Sequence, residues 1–403
     1  MLRKYFQSEQ TRNFSIAMVW INGGSNKDRD EKKGLNNILF SLLSRGCEGY
    51  ENLAFSDYID SHGAELNLET LEDGMLISLQ SLNEHFNKLL PLLDLIINKP
   101  TLLDSEFQNL KKSTIQTLKK NRENPFNITF EKWRKIVYLK HPYAYNSLGY
   151  ELDISKITHN DVLLEYENFK NRNKYLISNN SVIKDNSFEI FKQNIYKDEI
   201  ISYHSYQNHL NRFVSTHQKS NQIILMIGNQ TCSISSDEYL PLKILESHLS
   251  YGMSSVLFKL FREKNGLTYD VGVYNPLRKQ NTPFLIFLSV SNKNALLAFK
   301  ILSELWKELL SSLILEKDLY LAKIKFKSSF LISNQTLDEI LQRKIKFIGY
   351  NIDPEVNFIE KIKDINSEEI LKVTQKYFAK PFLSIYGEKK ICDEINNLWI
   401  KNF

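Results

Sequence analysis

A chain of 403 residues is too long for one ordinary hydrophobic core and implies two or more domains, with the 42% hydrophobic and 25% charged residues of a globular protein in water. A net charge of +5 with no block of Lys or Arg gives nucleic acid no footing, and no apolar run reaches the roughly 18 residues of a membrane span. Three widely spaced cysteines (Cys47, Cys232, Cys392) read as free thiols of a reducing compartment, and the start of the chain lacks the apolar stretch of a signal peptide, so a cytoplasmic location is expected.

Phe14 to Ile21 is an almost unbroken apolar run, suited to a strand covered on both faces. A polar loop from Asn22 to Lys33 precedes a predicted helix from Leu35 to Ser44, which carries apolar residues at helical spacing and is ended by Arg45-Gly46. Leu53 to Ser61 reads as a helix closed by Gly63. Glu65 to Leu71 and Met75 to Leu82 alternate at period two around Glu72-Asp73-Gly74, a hairpin signal. Glu84 to Asn98 and Asp104 to Asn121 are predicted long helices. Thr158 with Asp161 three residues on has capping-box spacing, Tyr175 to Ile177 is a short strand, and Phe188 to Ile195 a closing helix.

The order then recurs. Ile223 to Ile227 is a strand and Asp237 to Leu249 a helix. Ser250 to Lys264 reads as a helix stopped by Asn265-Gly266, and Leu267 to Tyr274 as a strand. Phe284 to Val290 is again a strand and Leu296 to Leu310 a helix. Leu315-Glu-Lys-Asp-Leu echoes Leu103-Asp-Ser-Glu-Phe, and Ile365-Asn-Ser-Glu echoes Ile157-Thr-His-Asn. Phe382-Leu-Ser-Ile echoes Tyr175-Leu-Ile-Ser. Copies lie about 210 residues apart, the spacing of tandem domains rather than of a solenoid. The expected organisation is a first domain over 1–195, a polar linker over 196–221 and a second domain over 222–403. The fold class is α+β: two tandem homologous domains, each a mainly antiparallel sheet with helices packed on one side.

Gly252-Met-Ser-Ser-Val-Leu followed by Arg262-Glu-Lys-Asn-Gly-Leu-Thr-Tyr269 resembles the C-terminal domain of the insulinase, pitrilysin and mitochondrial processing peptidase superfamily. The resemblance implies that Arg262 and Tyr269 hold a substrate carbonyl and stabilise its oxyanion at a zinc site carried elsewhere. Active members bear His-x-x-Glu-His in the first helix, where two His on one face bind zinc and the Glu activates water. Aligned on Gly34-Leu35 and Arg45-Gly46, this chain has Asn37, Phe40 and Ser41 at those three positions. The resemblance places a further Glu ligand on a later helix, Asp104 to Asn121, where Thr117 is the matching position. The eight histidines form no His-x-x-Glu-His or His-x-x-x-His, and there is no Cys-x-x-Cys.

The chain is therefore expected to bind no zinc and to be inactive alone. The resemblance implies a heterodimer with a zinc-bearing homologous subunit that carries the metal, with unfolded peptides as substrate. In that pair this chain completes a metalloendopeptidase site with Arg262 and Tyr269. A structural scaffold, or a peptide-binding protein without a catalytic share, is the alternative.

Overall fold

The computed structural model of the chain describes residues 3–6, 13–181, 211–268 and 270–403. Two five-stranded sheets dominate it. The first runs in the order Arg3–Phe6, Lys174–Ser178, Phe14–Asn22, Gly74–Leu82, Glu65–Thr70. The second runs Phe213–His217, Phe382–Gly387, Gln222–Gln230, Pro283–Ser291, Asp270–Tyr274, which is the same arrangement strand for strand. In each the edge strand at the start pairs in parallel with its neighbour, and all other pairings are antiparallel. The duplication read from the sequence is thus present in the topology.

Strand Phe14–Asn22 is buried along nearly its whole length because both of its faces are covered. Val19 and Ile21 point into a core built with Leu39, Phe86, Leu93 and Phe169. On the opposite face, Trp20 meets the helix Leu337–Gly349. A Cβ at Gly349 would lie 2.1 Å from the indole nitrogen, so only glycine lets the helix backbone sit there. Tyr350 packs edge-on against the indole at 5.5 Å. Most helices of this half lie on one side of its sheet, as expected. This single helix from far along the chain closes the other side.

The second sheet is completed in the mirrored way. Helix Pro125–Tyr138, begun by Asn124 accepting from Phe126 N–H with proline in its first turn, packs on strands Phe382–Gly387 and Gln222–Gln230. Trp133 Nε1 donates to the Phe382 carbonyl at 3.3 Å, and Ser384 Oγ donates to the Thr129 carbonyl at 2.9 Å. The other face buries Trp306, stacked 4.7 Å from Phe378.

The compact units are consequently not contiguous in sequence. One comprises Met1–Asn121, Tyr145–Ser202 and Asn334–Val356; the other comprises Arg122–Ala144, Tyr203–Ser333 and Asn357–Phe403. The contiguous division at 195 and 222 does not describe them, because each sheet recruits its second-face helix from the other stretch. The linker expected over 196–221 also needs correction at its end. Phe213–His217 is an edge strand paired with Phe382–Gly387, held by backbone hydrogen bonds that its polar side chains do not advertise. The closing helix expected at 188–195 lies outside the described residues. Helices Pro125–Tyr138, Glu151–Lys156, Leu337–Gly349 and Lys389–Asn402 are additions to the sequence reading. No helix among the described residues is long and apolar enough to cross a membrane.

Candidate functional site

The first helix, Leu35–Leu43, is pinned at its N-terminus by Asp28. The Asp28 carboxylate accepts from Gly34 N–H at 2.7 Å, Asn36 N–H at 2.8 Å and Asn36 Nδ2 at 2.8 Å. A carboxylate there satisfies amides the helix leaves unpaired and lies at the positive end of its dipole. Burial nevertheless pushes the Asp28 carboxyl up to about 6, against those donors and nearby Lys33. Behind it, Arg172 donates to Asn36 Oδ1 at 2.8 Å, to the Gly23 carbonyl at 2.8 Å and to Glu165 at 2.5 Å. Burial lowers the Arg172 pKa, while Glu165 and Asp28 oppose the shift. Lys33 Nζ donates to the Asp28 carbonyl and sits 4.5 Å from the centre of the Tyr145 ring.

This network fixes where the helix starts, and with it the positions of Asn37, Phe40 and Ser41. Asn37 and Ser41, four residues apart, share a face and stay half-buried. Phe40 is wholly buried as a member of the core, its ring 6.4 Å from that of Phe169. Thr117 lies on the neighbouring helix Asp104–Asn121, exposed, its hydroxyl donating to the Ser113 carbonyl at 3.0 Å. The structure therefore puts the four positions on two helices that pack together. An amide, a phenyl ring and two hydroxyls supply no imidazole or carboxylate, and the set does not fit a zinc ion. Among the described residues no group of three His, Cys, Asp or Glu could hold a metal. The Asp28–Arg172 network escaped the sequence reading because its members lie far apart in the chain and follow no spacing rule.

Arg262 belongs to the second compact unit. It sits on Phe258–Lys264, which is wound as a π-helix rather than the α-helix expected. Such wide turns cost hydrogen-bond geometry and recur at functional sites. Phe261 anchors the turn in the core, and Arg262 is exposed with its guanidinium 4.9 Å from the centre of the Phe258 ring. Asn265 Nδ2 donates to the Leu260 carbonyl at 2.8 Å, and Gly266 takes φ +58°, the left-handed stop expected from the sequence. Leu267 N–H then donates to the Phe261 carbonyl at 2.8 Å. Thr268 bonds through its hydroxyl to the Ser289 carbonyl and accepts from Asp270 N–H, which launches the strand Asp270–Tyr274. That strand begins later than the expected Leu267. Tyr269 lies outside the described residues.

Known proteins match both parts of the chain. Residues 5–150 match the insulinase family, peptidase family M16, and residues 186–326 match the peptidase M16 inactive domain. An uncharacterised zinc protease of Rickettsia felis is 24% identical over 373 residues, covering 88% of each chain. Subunit 1 of the mouse mitochondrial cytochrome b-c1 complex is 22% identical over 162 residues, 40% of this chain and 34% of the other. The crystal structure of a peptidase M16 inactive domain from Pseudomonas fluorescens superposes with a TM-score of 0.85 at 18% identity, covering 96% of both chains.

Proposed function

We propose, from the premise that this chain belongs to peptidase family M16, the insulinase family, that it is the zinc-less subunit of a heterodimeric metallopeptidase. The observation that carries the reading is a contrast. Asn37, Phe40, Ser41 and Thr117 have no metal chemistry left, whereas the segment holding Arg262 and Tyr269 keeps its full pattern. In the pair, the metal and its water belong to the zinc-bearing relative. This chain contributes two hydrogen-bond donors, a guanidinium that orients an unfolded peptide and a phenol that meets the charge developing on its carbonyl oxygen. Donors of this kind act mainly in the transition state. The three cysteines are free and buried, which fits a cytoplasmic setting.

The test is steady-state kinetics of the reconstituted pair. Tyr269→Phe deletes only the donor and is expected to lower kcat by about 10²–10³ with KM little changed. Arg262→Ala is expected to raise KM as well. The isolated chain should retain no zinc after dialysis and cleave no quenched peptide. An unchanged kcat for Tyr269→Phe in an assembled pair overturns the shared site. It leaves the scaffold reading, which the likeness to a cytochrome b-c1 subunit supports.

A further inference from the structure

Helix Glu316–Ile332 holds in the second unit the place of Asp104–Asn121 in the first, and the two differ on their outer faces. Both bury an apolar stripe, Phe107, Leu110 and Leu118 in one and Leu319, Ala322 and Phe326 in the other. Outward, Asp104–Asn121 exposes no large apolar side chain; its exposed positions are Asp, Ser, Gln, Asn, Lys and Thr. Glu316–Ile332 instead exposes Tyr320 at 66%, Ile324 at 42% and Leu331 at 48%, with Leu321 at 40% and Ile332 at 60% beside them. At about 100° per residue, Tyr320, Ile324 and Leu331 fall on one line, opposite the buried stripe. The polar counterpart demonstrates that the fold does not need apolar groups there. This exposed apolar set, interrupted on that line between Ile324 and Leu331 only by Lys327 and Ser328, marks a binding surface.

Its charges select the occupant. Lys323 and Lys327 border the strip on one side and Lys325 on the other, and no acidic residue follows Asp318 within the helix. A second copy would set lysines against lysines. A lipid surface calls for cations as well, so vesicle binding is one outcome of the test. We propose that the outer face of Glu316–Ile332 docks a different polypeptide, through a helix whose apolar strip is bordered by Asp and Glu. The proposal is independent of Arg262, Tyr269 and any zinc-bearing partner, and holds equally for a scaffold.

The experiment uses the full chain and two fluorescent synthetic helical peptides with one leucine strip, flanked by Glu in the first and by Lys in the second. Anisotropy titration is expected to show the Glu-flanked peptide binding about tenfold more tightly or better, with the preference shrinking as salt is raised. Ile324→Ser with Leu331→Ser should weaken binding by about tenfold without lowering Tm, since both residues face water. Lys325→Glu with Lys327→Glu should reverse the preference. Equal affinity for the two peptides, no binding, or binding indifferent to both double variants overturns the proposal. So does a dimer of the chain abolished by the serine variant, which makes a second copy the occupant. Sedimentation with phosphatidylserine vesicles, lost in that same variant, would make it a lipid surface.

Discussion

The two halves share one strand order, yet they anchor corresponding helices differently. In the first half, the start of Leu35–Leu43 is tied through Asp28 and Asn36 to Arg172 and Glu165, joining a loop, two helices and the approach to a strand. In the second half, the cap residue of Tyr239–Ser250, Glu238, is tied at the part-exposed surface to Lys376 and Tyr377, and only the buried pair is local. Lys243 pairs with Glu246 one turn on, and Asn275 donates to the same carboxylate at 3.1 Å. The strand order and apolar faces are common to both, so they carry the architecture, and each half arranges its buried charges in its own way. The place of Leu35–Leu43 therefore does not depend on Asn37, Phe40 or Ser41. The groups that hold Leu35–Leu43 at its N-terminus are not those that would bind zinc.

The sharpest way to break this comparison is to remove the long-range cation. Arg172→Ala leaves the buried Glu165 with only the longer Arg29 pair at 3.7 Å and the Asn168 donor, unties the Asp28 end, and should cost about 3–5 kcal/mol in urea denaturation. Lys243→Ala removes one local partner and should cost about 1–3 kcal/mol. Equal losses would mean the two networks do the same job.

Acid should then separate the halves in opposite directions. Asp28 is held near 6 in the fold against 3.8 ordinarily. The folded chain therefore binds more protons in that window, and the first half gains stability as pH falls through it. His141, in the second unit, is buried: its Nδ1 accepts from Tyr143 N–H at 3.0 Å and its Nε2 faces Gln280 Oε1 at 2.8 Å. Burial pushes it down to about 4 from 6.5, against the Gln280 bond. There the unfolded chain binds more protons, and the second half loses stability as pH falls from 6.5 to 4. Each effect amounts to roughly 3 kcal/mol, from about 1.4 kcal/mol per pH unit. Hydrogen exchange read by mass spectrometry at pH 7 and pH 4.5 resolves the halves, and parallel changes in both would refute the assignment.

Gly349→Ala drives a methyl into the Trp20 indole and should cost about 1–3 kcal/mol, with loss of protection concentrated in the first sheet. A loss confined to the second sheet would contradict the packing described. The smallest effect compares equivalent caps. Thr158 and Asn366 begin matching helices, accepting from Asp161 N–H and Glu369 N–H. Replacing either with Ala should cost about 1 kcal/mol, and Thr158 the more, because Asp161 reciprocates in a capping box.

Much of this was legible from residue order alone. Strands such as Phe14–Asn22 and Pro283–Ser291 announce themselves by apolar runs, and the Gly266 stop by its residue type. Asn37, Phe40 and Ser41 were singled out only by family resemblance, aligned on Gly34-Leu35 and Arg45-Gly46, and not by any spacing of their own. What sequence withheld depends on distant partners. Nothing in Leu337–Gly349 names Trp20 as its contact, and nothing in Phe213–His217 betrays the backbone ladder that makes it a strand. The π-winding at Phe258–Lys264 leaves the apolar pattern of an ordinary helix intact.

The segment that covers Trp20 has a consequence for synthesis. A chain leaving the ribosome presents the first sheet early, but the helix that closes its second face ends at Gly349 and is made late. At about 5–20 residues per second, that face waits tens of seconds in water, apolar and unfinished. Biogenesis therefore runs through a nascent state that exposes an incomplete core, and a chaperone that shields Trp20 during translation would act before the fold can protect itself.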